Sequence, residues 1–93
     1  MQATIWREAL YLRKRNLLPR DWPVAAEALS LLTDGYGGAI LSIGDLQREA
    51  SKLRWTVNRY TEALERAAEE GWLARLDWER GTVRTTLTIP EET

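Results

Sequence analysis

The sequence predicts a mostly helical α+β domain, and three observations predict it. Apolar residues recur at helical spacing in four stretches between residues 4 and 70. After Gly71 the spacing changes to alternation, first in Trp72–Trp78 and again in Thr82–Ile89. The 93 residues leave room for one small core, with no Cys to staple it or to bind metal as thiolate.

A first helix is expected from Thr4 to Asn16, with Thr4 as N-cap and an apolar stripe of Ile5, Ala9, Leu10 and Leu17. Pro19 disfavours helix at Leu18, which sets residues 1–20 apart as an N-terminal helical extension. Asp21-Trp22-Pro23 opens a second helix, with Asp21 or Trp22 at the cap and Pro23 in the first turn. Its inward face is read as Val24, Ala28, Leu31 and Leu32, and its end as Thr33. Asp34-Gly35-Tyr36-Gly37-Gly38 is a turn, and its spacing fits neither a dinucleotide fingerprint nor a P-loop. Ala39-Ile40-Leu41 is a short strand. Ser42 caps a third helix that buries Ile43, Leu46 and Ala50, and Ser51–Arg54 is the expected turn. The fourth helix is placed from Trp55 to Glu70, burying Val57, Tyr60, Leu64, Ala67 and Ala68, and Gly71 stops it.

Alternation then puts Trp72, Ala74, Leu76 and Trp78 on one side of a hairpin strand, with Leu73, Arg75 and Asp77 on the other. Glu79-Arg80-Gly81 turns the chain, and Val83, Thr85, Leu87 and Ile89 return on the apolar side. The main domain is thus residues 21–90, with 91–93 as a tail.

Charge is distributed in blocks that the net value of −1 hides. Arg7, Arg13, Lys14, Arg15 and Arg20 make residues 1–20 positive, and Arg48, Lys52, Arg54 and Arg59 do the same for residues 48–61. Residues 21–47 and 62–79 are acidic. Local sign decides where a polyanion docks. Without His or Cys, and with no clustered carboxylates, no enzymatic activity, cofactor or metal is expected. No apolar run reaches the length of a membrane span and no signal peptide is evident, so a cytoplasmic, soluble protein is expected.

The chain Ile40-Leu41-Ser42-Ile43-Gly44-Asp45-Leu46-Gln47, the helix closing in Glu69-Glu70-Gly71-Trp72-Leu73, and the turn Glu79-Arg80-Gly81-Thr82 follow one another in a telling order. Over roughly residues 22–89 the order helix, helix, short strand, helix, turn, helix, hairpin resembles the winged helix–turn–helix superfamily. The junction before the hairpin is similar to that of many bacterial repressors and plasmid or phage regulators. The resemblance implies a sequence-specific double-stranded DNA-binding regulator of transcription or replication. Helix 55–70 would enter the major groove and the wing, residues 78–84, would follow the backbone.

The residues can be weighed on their own. A 100° step places Trp55, Asn58, Arg59, Glu62 and Arg66 opposite the apolar stripe of the fourth helix, with Thr56 near its start. Arg and Asn suit guanine and adenine edges, while Lys52, Arg54, Arg80 and Arg84 suit phosphate or groove contacts. The same pattern on an amphipathic helix also describes an ordinary solvated face. Trp55 either packs beneath the N-terminal segment or contacts a ligand. Arg13, Lys14 and Arg15 either complement a helix dipole or form an accessory patch on DNA, and the helix carrying them could pair two copies into a dimer. The rival function is a winged-helix protein-interaction module, such as a phage inhibitor or assembly factor. The acidic run Glu62, Glu65, Glu69 and Glu70 motivates it.

Overall fold

The computed structural model describes residues 1–13 and 21–90. Its elements are α1 (Ala3–Arg13), α2 (Asp21–Ser30), β1 (Gly38–Ser42), α3 (Ile43–Lys52), α4 (Val57–Glu69), β2 (Asp77–Glu79) and β3 (Thr82–Thr86). Among the described residues this is a mostly helical α+β fold, four helices around one antiparallel sheet.

Side-chain caps start the two helices that carry the candidate site. Ser42 Oγ accepts from the Asp45 N–H at 3.1 Å, and the Asp45 carboxylate accepts from the Ser42 N–H at 2.9 Å, a reciprocal box that opens α3. Thr56 Oγ1 accepts from the Arg59 N–H at 3.1 Å, so α4 begins at Val57 and not at Trp55. Helix α3 in turn runs on to Lys52, and the turn expected at Ser51–Arg54 falls one or two residues later. Gly71 ends α4 as expected, at φ +87°, where a Cβ would also lie 2.8 Å from the Pro90 Cβ.

Helix α1 departs from its sequence pattern. The Trp6 N–H donates to the Gln2 carbonyl at 3.2 Å, so Thr4 lies inside the first turn and is not the cap. Trp6 and Leu10 are fully buried, whereas Ile5 is 55% exposed and Ala9 half-buried. Leu17 and Asn16 fall outside the described residues. The Trp6 indole N–H donates to the Trp72 and Thr88 carbonyls, both at 2.9 Å, and its ring meets Trp72 edge-on at 5.9 Å. Residues 1–13 therefore share the core with residues 21–90.

Helix α2 is turned the other way from expectation. Trp22, Ala25, Ala26 and Leu29 are buried at i, i+3, i+4 and i+7, while Val24 is exposed and Leu31 is 71% exposed. The helix ends at Ser30, which puts Leu31 and Leu32 beyond it. The physical reason is that α2 packs chiefly on α4, and two alanines let the backbones approach more closely than Val24 or Leu31 would.

In the sheet, β3 lies between β1 and β2, with Ser42 opposite Thr82 and Trp78 opposite Val83. Arg80 and Gly81, at φ +46° and +78°, form a two-residue turn whose twist suits the hairpin. Val83, Thr85 and Leu87 face inward as expected. The first hairpin strand is shorter than expected: Trp72 and Leu73 are both buried, so strict alternation fails there, and regular pairing starts only at Asp77. The Trp72 N–H still bonds the Ala67 carbonyl at 3.0 Å, and the chain must twist out of this helical connection before it can pair.

No helix among the described residues is long and apolar enough to cross a membrane.

Candidate nucleic-acid interface

The first turn of α4 and the residues just before it gather Arg54, Trp55, Thr56, Asn58 and Arg59. Thr56 spends its hydroxyl on the cap, and Asn58 is exposed beside it. Arg59 is held from two directions. Its Nε donates to Asp21 Oδ2 at 2.7 Å and its Nη2 to Asp21 Oδ1 at 2.9 Å, while its Cζ lies 4.2 Å from the centre of the Trp55 ring. The hydrogen bonds to Arg59 hold the Asp21 carboxyl below the usual carboxylate range, and the same bonds raise Arg59. Trp55 is not on the outer face of the helix, as its wheel position predicted. It precedes the helix, is half-buried against the core, and donates its backbone N–H to the Ala50 carbonyl at 2.9 Å.

Arg54 and Arg80 share an unusual feature. They are the two non-glycine residues at positive φ among the described residues, at +60° and +46°. Both are exposed, and neither side chain has a hydrogen-bond or ion-pair partner among the described residues. Arg84, at the centre of β3 on the outward side, is likewise exposed and without such a partner among them.

Other predicted cations are occupied. Lys52 Nζ lies 2.8 Å from Glu49 Oε2, neutralising a carboxylate that is only 8% exposed. Arg66 bridges Glu69 at 3.3 Å and Glu70 at 2.7 Å. Arg13 turns inward, 5.2 Å from the Trp72 ring and bonded to the Pro90 carbonyl at 3.5 Å. Lys14 and Arg15 lie outside the described residues.

Glu62 is exposed on the second turn of α4, where the helix changes character. Thr61, Glu62, Glu65, Arg66, Glu69 and Trp78 line a groove of about 410 Å³ between α4 and the hairpin. The Trp78 indole N–H donates to Glu65 Oε1 at 3.1 Å, leaving the ring 46% exposed. An apolar inward role for Trp78 was expected from alternation. The hairpin end overhangs the helix instead of covering the core.

Sequence reasoning missed Asp21 as the partner of Arg59, and Glu65 as the partner of Trp78. Neither pair has a local signal, since Asp21 and Arg59 stand 38 residues apart. Among the described residues, no group of three or more His, Cys, Asp or Glu side chains could hold a metal ion. Comparison with protein families, curated proteins and solved structures finds no match to this chain.

Proposed function

We propose that this chain is a small winged-helix protein that binds double-stranded DNA in a regulatory role. The first turn of α4 would meet the major groove and the β2–β3 turn the backbone. The order helix, helix, strand, helix, helix, hairpin supports the fold part of this reading.

The observation that carries it is the pair Arg54 and Arg80. A left-handed backbone favours Gly or Asn, and other residues pay a conformational penalty there. Backbone preference therefore does not select arginine at either turn, and packing does not either, since both side chains are exposed. What remains is a use for two exposed guanidinium groups that have no partner among the described residues. Their placement suits a duplex. The Ile43 N–H bonds the Gly81 carbonyl at 3.1 Å, so the hairpin turn abuts the start of α3, while Arg54 follows its end. A ten-residue helix is about 15 Å long. The two turns therefore stand at opposite ends of α3, whose length is on the scale of a major groove of about 12 Å. Ile5 and Leu12, exposed and seven residues apart on α1, would serve a second copy on a two-fold symmetric site.

A second reading, docking of a protein partner on the same side, is favoured by the acidic groove beside Trp78. Phosphates would avoid Glu62, Glu65 and Glu69, whereas a basic segment would not.

Arg54→Asn and Arg80→Asn test the proposal, because Asn tolerates the left-handed backbone and removes the charge. Each variant should keep its stability or gain up to about 1 kcal/mol. Each should also weaken binding to random duplex and lower the salt slope by about one unit. Unchanged duplex affinity in both variants, or no wild-type binding at about 50 mM salt, would overturn the DNA reading.

A further inference from the structure

We infer that Arg59 reads a guanine, and that Asp21, from the start of α2, is the positioning residue that aims it. The inference rests on the DNA reading above and deepens it from a surface to a base.

A guanidinium carries five N–H donors in a planar fork. Asp21 takes the side of that fork, Nε–H and one N–H of Nη2, at 2.7 and 2.9 Å. The end of the fork stays free: one N–H on each terminal nitrogen, parallel and pointing away from the chain. Two parallel donors match O6 and N7 of guanine, which sit side by side as acceptors in the major groove. The Trp55 ring at 4.2 Å fixes the plane of the fork from one face. With both supports in place the Arg59 side chain is still 50% exposed. Its freedom is restricted when the protein folds and not when it meets DNA, which is the usual gain from preorganisation.

Charge points the same way. Arg59 with Asp21 is close to neutral as a unit, so it attracts phosphate weakly and releases few counterions. A carboxylate beside a phosphate-binding arginine would be counterproductive. Beside a base-reading arginine it is useful, because it selects one orientation. Lysine would replace Arg59 poorly here, since its ammonium lacks the planar fork that holds Asp21 with one edge and presents two parallel donors with the other.

The test starts from a duplex selected by the wild-type protein out of a random pool. Binding is then measured with each G·C pair changed in turn to A·T, and with 7-deazaguanine at any sensitive position. Wild type should lose about five- to 150-fold at one guanine, and should also respond there to loss of N7. Arg59→Lys should lose most of the discrimination at that position, because its ammonium has no fixed pair of parallel donors. Asp21→Asn should melt like wild type, bind random duplex at least as well, and yet lose most of the discrimination at the same guanine. Asp21→Glu should recover part of it. The salt slope on random duplex should stay the same in Arg59→Lys. A wild-type site with no guanine of this kind, or full discrimination retained by Asp21→Asn, overturns the inference and leaves the DNA reading standing. If the wild type selects no duplex at all, the DNA reading falls first and the inference with it.

Discussion

At its first turn α4 borders a polar, half-exposed surface held by side chains; just past its last turn, at Gly71 and Trp72, the chain enters a buried, apolar junction. Thr56 caps the first turn and Asp21 and Trp55 grip Arg59, all at or near the surface. Beyond the last turn, Gly71 bends the chain so that Trp72 packs on Trp6, and the Thr88 hydroxyl donates to the Gly71 carbonyl at 2.8 Å. One helix thus joins an exposed surface that keeps donors turned to solvent to a buried junction whose polar groups are spent within the core. Changes at the buried end should alter stability and leave binding by the folded protein intact. Changes at the exposed end should do the reverse.

The largest expected effect is at the buried end. Trp6→Ala removes a fully buried indole together with its N–H bonds to the Trp72 and Thr88 carbonyls, so it should cost about 3–5 kcal/mol in denaturant unfolding. Deleting α1 should be equally damaging, which separates this core role from self-association. If Trp6→Ala lowered duplex affinity at full occupancy of the folded state, the division between the two ends would break.

Gly71→Val should follow, at roughly 1–3 kcal/mol from backbone strain, with Pro90 forced aside as well. Calorimetry would report it as a lower Tm. Gly81→Val is the control that sharpens this point, because a Cβ at Gly81 meets only the flexible Ile43 side chain, 3.4 Å away at Cδ1. Strain is then the whole cost, and Gly81→Val should be the milder change.

The smallest effect on stability lies at the exposed end and is best read by titration. The Asp21 pKa is depressed in the folded chain by its hydrogen bonds to Arg59. A depressed carboxylate contributes stability above its unfolded pKa, about 3.9, and loses it as pH falls through the folded value. An NMR titration should therefore find Asp21 below the ordinary range, and Arg59→Ala should return it there. Melting should barely change, since the pair is exposed and screened. A normal Asp21 titration in the wild type would remove the positioning that separates the two ends.

These two ends also differ in how readily the sequence revealed them. Gly71 as a stop, Ser42 as a cap and the Arg80-Gly81 turn are local choices, made by residues within a few positions of one another. The exposed side of α4 was read correctly for Asn58, Arg59, Glu62 and Arg66, because one helix wheel contains them. The wheel failed at Trp55, since the Thr56 cap moved the helix start past it. It also failed for α2, where two apolar faces compete and periodicity does not rank them. Only contact with α4 does, and it prefers the small side chains of Ala25 and Ala26 over the larger Val24 and Leu31.

By itself, then, the sequence determined the class of fold, the succession of elements and the chemistry available on α4, because caps, turns and periodicity act over a few residues. Tertiary structure alone decided that β1 joins β3, that Trp6 enters a core it shares with Trp72, and that Asp21 meets Arg59. Those partners stand 38 or more residues apart, and nothing at that separation repeats with a period that a single chain could display. They meet because burying α1, α2 and the sheet against α4 leaves one compact arrangement, and the side chains then take the neighbours it provides.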